Sequence, residues 1–158
     1  MFKIVDQHLL DQLVLESKRV CNEGSVANYI PELSTVSGDK LGITWHPITG
    51  NPLSSGDCDQ QFSLQSISKV ISLLLALEDR GEQHVFSKVG MEPTGENFNS
   101  MVKLELIKPG IPFNPMINAG AIVISSMIRG ENPGERADRV LHLVRRLCGD
   151  DSVTYDLE

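Results

Sequence analysis

The chain has 158 residues, 41% of them hydrophobic, and a formal charge of −7. That length and composition suit one domain with one core. The acidic balance, with no Lys/Arg cluster longer than Arg145-Arg146, excludes nucleic acid and anionic membranes as expected partners, because both demand a concentrated positive surface.

Cys21, Cys58 and Cys148 are odd in number, widely spaced and without a C-x-x-C pair. They read as free thiols in a reducing cytosol, not as a disulfide framework or zinc site. The four histidines, His8, His46, His84 and His142, never fall at metal-ligand spacing, so no metal is expected. Residues 1–12 lack an unbroken apolar stretch and carry Asp6 and Asp11, unlike a signal peptide. The longest apolar run, Leu73 to Leu77, is too short to span a bilayer. A soluble, cytoplasmic protein is expected.

In chain order, Leu9, Leu10, Leu13, Val14 and Val20 follow helical spacing and predict a helix over about 6–22, with Gly24 as its terminator. Pro31 disfavours helix at Ile30, so Ser25 to Leu33 reads as an ordered loop. Leu41, Ile43 and Trp45 share one face of a strand, and Pro47 to Pro52 supplies turn chemistry. A second strand around Gln60 to Leu64 completes a hairpin over about 40–64. Residues 66–80 surround a helix with apolar side chains from Val70 to Leu77 and end at Gly81, which predicts a helix buried all round. Residues 82–114, rich in Pro and Gly, read as loops. Asn114-Pro115 and Asn132-Pro133 open two further helices, about 115–129 and 133–148, with Gly130 and Gly149 as stops. The order is α+β, a hairpin followed by several helices, not alternating βαβ.

The chemistry lies in Ser66-Ile67-Ser68-Lys69. A serine hydroxyl attacks an amide only if a base removes its proton, and a neutral lysine one helical turn away can do so. Positions i and i+3 share a helix face, which brings amine and hydroxyl within reach. Spacing alone is weak, since Ser37-Gly38-Asp39-Lys40 and Ser100-Met101-Val102-Lys103 match it as well. Ser37 and Lys40 sit in a Gly-Asp turn, and Ser100 and Lys103 in a loop-rich stretch. Ser66 alone heads an apolar helix, whose first backbone N–H groups and positive dipole end can stabilise an oxyanion. On the motif alone, a helix-capping serine and a solvated lysine remain an equal alternative.

Val26-Ala27-Asn28-Tyr29-Ile30-Pro31-Glu32-Leu33, Gly56-Asp57, Phe62 to Val70, Glu92-Pro93-Thr94-Gly95 with Phe98-Asn99-Ser100, and Asn114 to Ile122 stand in one order along the chain. Together these blocks resemble the serine-dependent glutaminases, whose fold is similar to the β-lactamases and penicillin-binding proteins. The resemblance implies a partial β-lactamase-like fold, with a hairpin, a central helix headed by the nucleophile, and surrounding helices. It implies hydrolysis of L-glutamine to L-glutamate and ammonia through an acyl-enzyme on Ser66, with Lys69 as proton acceptor. By the same resemblance, Tyr29 relays a proton to the leaving ammonia and Asn118 binds the amino-acid end of the substrate. No cofactor or metal is implied, and a homo-oligomer is.

Members of this family run well beyond residue 158. The resemblance therefore implies that residues 1–158 are roughly the N-terminal half, with the remainder of the pocket beyond them, and that alone they leave strands unpaired and a face of the Ser66 helix exposed and are inactive, insoluble or oligomeric. Tyr155 and Glu158 stand in no matching motif. Two alternatives remain: a β-lactam-reactive acyl-serine enzyme, which shares Ser-x-x-Lys, and a non-catalytic interaction piece.

Overall fold

The computed structural model describes residues 5–95 and 110–155. They fall into two compact units that divide between Phe62 and Ser63. The Ser100/Lys103 pair, and residues 97–99 beside it, lie outside the described residues.

The first unit is a helix on a hairpin. α1 spans Gln7–Lys18 and is opened by Asp6, whose carboxylate accepts from the Leu9 amide at 2.8 Å. Leu10 and Val14, one turn apart, supply its buried stripe. The helix stops earlier than the apolar spacing predicts. The chain tightens into a 3-10 turn over Cys21–Glu23, and Gly24 is extended, not left-handed. Pro31 opens another 3-10 turn, Pro31–Thr35, which begins within the expected ordered loop and runs past its end at Leu33.

β1 (Gly42–Trp45) pairs antiparallel with β2 (Leu53–Gly56), Gly42 opposite Gly56 and Trp45 opposite Leu53. The second strand thus precedes Gln60 to Leu64, which carries no strand. The reason is local. At Gly56 (φ +81) a Cβ would stand 2.2 Å from the Leu41 carbonyl oxygen, so only glycine permits the approach. The Asp57 amide then donates to that oxygen at 2.8 Å and closes the ladder. α1 lies against this hairpin: the Ser55 hydroxyl donates to Asp11 at 2.7 Å and the Gln7 amide to the Ser54 carbonyl at 2.9 Å.

The second unit is helical and centred on α2, Ser68–Arg80, which packs against α3 (Glu82–Lys88), α4 (Asn118–Met127) and α5 (Pro133–Cys148). Its core is Leu75, Ala76, Val85, Val89, Ile124, Met127, Ile128 and Leu143. α2 differs from the sequence expectation in one respect. Its buried face is Ser72, Leu75, Ala76 and Asp79, whereas Ile67, Val70 and Leu74 form an exposed apolar row. α3 occupies part of the stretch expected to be loop. Gly81 (φ +77) turns the chain directly from α2 into it, and Val85 and Val89, one turn apart, are fully buried. α4 starts later than Asn114-Pro115 suggests. The Asn114 side chain accepts from the Met116 and Ile117 amides at 2.9 and 3.2 Å and closes a separate turn before the helix. α5 is bracketed by Asn132, which accepts from the Glu135 amide at 3.0 Å, and by left-handed Gly149.

Candidate active site

Ser66 does not head α2 itself. It is the middle residue of a 3-10 turn, Gln65–Ile67, that leads into the helix, and it is exposed. Gln65, just before it, has φ +46, the only non-glycine residue among those described with positive φ. A branched or long side chain in that region carries strain of about 1 kcal/mol or more, and such strain recurs where a side chain must be aimed. The Gln65 side-chain Nε2 donates to the Ser63 hydroxyl at 2.9 Å, which braces the turn. The Ser68 hydroxyl is spent locally, donating to the Gln65 carbonyl at 2.7 Å.

Lys69, on the first turn of α2, is half-buried. Its amine donates to the Asn118 side-chain oxygen at 2.7 Å and to the Met116 carbonyl at 3.0 Å. The structure therefore brings together two of the expected site residues that lie 49 positions apart. Asn118 is the first residue of α4, so the contact depends on α4 packing against α2. Tyr29 belongs to the first unit, at a bend before the Pro31 turn, and is 66% exposed.

The second Ser-x-x-Lys match is engaged elsewhere. The Ser37 hydroxyl donates to the Asp39 carboxylate, and the Lys40 amine lies 3.9 Å from Asp57. Asp57 also accepts from the Leu41 amide at 3.0 Å and from Lys18 at 3.2 Å. The Leu41 amide first, then Lys18, hold its carboxyl below the usual carboxylate value. Gly56-Asp57 thus closes the base of the hairpin. The Tyr155 hydroxyl donates to Asp138 at 3.0 Å, and burial first, then that carboxylate, raise its phenol above the ordinary value.

Sequence reasoning did not single out the Met116 carbonyl, because a main-chain acceptor leaves no mark in side-chain identity. It also missed the Asp79–Arg139 pair, 60 residues apart, although an aspartate within an apolar helix was a visible signal. Among the described residues no group of three or more His, Cys, Asp or Glu could hold a metal ion, and no helix is long and apolar enough to cross a membrane.

The family model "Glutaminase" matches residues 24–158. A glutaminase of Alkaliphilus metalliredigens is 56% identical over 124 residues, covering 78% of this chain and 41% of the relative. Glutaminase 1 of Halalkalibacterium halodurans is 50% identical over 149 residues, 94% of this chain and 48% of the relative. The solved structure of the probable glutaminase ybaS superposes with a TM-score of 0.84 at 41% identity, covering 97% of this chain and 50% of its own. The chain thus spans about half the length of the curated relatives it matches.

Proposed function

This chain belongs to the glutaminase family, and we propose that the protein hydrolyses L-glutamine to L-glutamate and ammonia by acyl transfer through Ser66. One observation carries the mechanistic part: Lys69, three residues after an exposed serine, has its amine held by two fixed oxygens. In the reading favoured here, Ser66 Oγ attacks the γ-carboxamide carbon of glutamine while Lys69 takes the hydroxyl proton. The tetrahedral intermediate expels ammonia, protonated with the help of Tyr29, and leaves a γ-glutamyl ester on Ser66. Water adds to the ester carbonyl, and collapse returns the serine hydroxyl and releases glutamate. Of the backbone N–H groups around Ser66, its own is the candidate donor to the oxyanion in both steps, since the Ile67 amide donates to the Leu64 carbonyl at 3.2 Å.

The same reading includes a β-lactamase-like overall fold and a homo-oligomeric cytosolic enzyme; three free thiols suit a reducing compartment. Residues 1–158 alone are proposed to be inactive, because the matched relatives are about twice as long.

Ammonia release from glutamine, measured on residues 1–158 and on a polypeptide extended to the length of the relatives, tests this. Turnover by the extended polypeptide is expected. No release by either overturns the reading in favour of a non-catalytic role. Covalent capture of labelled penicillin on Ser66, without glutamine turnover, would replace it with the β-lactam reading.

A further inference from the structure

The side chain that is meant to act as base is held by a different helix from its own. We propose that Asn118, together with the Met116 carbonyl and the close packing at Gly120, is a positioning residue that fixes the direction of the Lys69 amine. This deepens the glutaminase reading of the same site and rests on it for what Lys69 does.

A lysine carries its nitrogen on a flexible four-carbon stem, so position on the helix does not aim it. Two acceptors do. Asn118 Oδ1 at 2.7 Å and Met116 O at 3.0 Å fix two of the nitrogen's tetrahedral directions, and with them the others. The donor demands the oxygen end of the amide, which also sets which way Asn118 is turned.

Both acceptors are themselves braced. The Asn114 side chain holds the Met116 and Ile117 amides, and its own amide donates to the Glu92 carbonyl at 2.9 Å. The first turn of α4 then closes onto that segment. A Cβ on Gly120 would stand 1.9 Å from the Asn114 carbonyl oxygen and 2.8 Å from its carbon. Alanine there cannot fit without moving the segment that carries both acceptors, although alanine is ordinarily the better helix residue. The Asn114–Gly120 segment thus acts as a bracket for the amine.

The test is competitive acetylation of residues 1–158 with trace acetic anhydride, read lysine by lysine by peptide mass spectrometry. Asn118→Ala should raise Lys69 labelling relative to Lys88 roughly tenfold, the scale of losing one hydrogen bond to an ionisable amine. Asn118→Asp, which keeps an oxygen at the same place and adds a negative charge beside the amine, should leave it at or below the wild-type level. Gly120→Ala, which removes no hydrogen-bonding group, should raise it. Unchanged Lys69 labelling in Asn118→Ala, or an equal rise in Asn118→Asp, overturns the proposal; an unchanged Gly120→Ala overturns the part assigned to the bracket.

In the extended, active polypeptide, Asn118→Ala should lower kcat roughly 100-fold, the cost of a misplaced reacting group. A change confined to KM would make Asn118 a substrate contact only and overturn positioning. If the wild-type polypeptide releases no ammonia, the glutaminase reading fails, while the labelling result still decides whether Asn118 holds Lys69.

Discussion

Arg139 grips Asp79 with both terminal nitrogens, Nη2 to Oδ1 at 2.8 Å and Nη1 to Oδ2, across 60 residues of sequence. The Asp79 carboxylate also accepts from the Arg129 amide at 2.7 Å, and Arg139 Nη1 donates to the Arg129 carbonyl at 3.0 Å. One carboxylate thereby ties the end of α4 and the middle of α5 to α2. The Asp79 side chain is 6% exposed and that of Arg139 38%. Asp79→Ala should therefore cost roughly 3 kcal/mol, the low end for breaking a buried pair, because Arg139 can still reach water. Urea denaturation of the whole chain measures it; a loss below about 0.5 kcal/mol would contradict the clamp.

Arg139 first, with the Arg129 amide, holds the Asp79 carboxyl below its usual value against the opposing effect of burial. A carboxyl lowered in the folded state contributes stability that is complete above its unfolded value, about pH 4, and lost as acid protonates it. Thermal midpoints recorded from pH 7 down to 2 should fall steeply below about pH 4. Asp79→Asn should flatten that limb without abolishing it, since Asp11, Asp39, Asp57 and Asp150 are lowered too.

Glycine costs about 1 kcal/mol inside a helix, but Gln65 stands in the turn ahead of α2 and is left-handed. Gln65→Gly should be neutral or mildly stabilising, and Gln65→Val should cost roughly 2 kcal/mol, because a branched Cβ resists positive φ. A clear destabilisation by glycine would speak against the conformation seen at this turn.

In the extended polypeptide, Lys69→Ala should reduce glutamine turnover by roughly 1000-fold, the scale of losing a general base. Ser37→Ala, whose hydroxyl faces Asp39, should leave turnover unchanged. Near-normal activity in Lys69→Ala would remove the dyad from the mechanism.

Two isoleucines two positions apart in α4 offer an internal contrast. Ile124 is 1% exposed and Ile122 is 65% exposed. Ile124→Ala should cost roughly 3 kcal/mol and Ile122→Ala under about 0.5, compared by chemical denaturation. Equal effects would mean that the face of α4 is assigned wrongly.

What could be read in advance follows the range of the interaction. Asn132-Pro133 and Gly149 bound α5 because capping acts over three or four residues, all visible in sequence. The segment before α4 misled for a related reason: Asn114 caps a turn, not the helix, and which one it caps depends on Ile117 being extended. α3 is hidden in the sequence although Val85, Phe86 and Val89 have helical spacing, because Pro and Gly surround so short a period. Which side chains form the exposed row of α2, Ile67, Val70 and Leu74, was unreadable, since an apolar side chain looks the same in sequence whether or not something covers it. At the site, Ser66, Lys69 and Asn118 were singled out by order and resemblance. That Asn118 meets Lys69 was not, because a contact over 49 residues leaves no local pattern.

That separation also orders events as the chain folds. The 3-10 turn at Ser66 and the start of α2 require only neighbours, which find each other quickly. The Lys69 amine acquires its oxygens only when α4 docks on α2 and a 49-residue loop closes, a slower step with a larger entropic barrier. Serine and lysine are three residues apart in sequence, yet the serine turn needs only neighbouring contacts and the aim of the lysine needs one 49 residues away. A nascent chain released before α4 emerges would carry the nucleophile with an unaimed base.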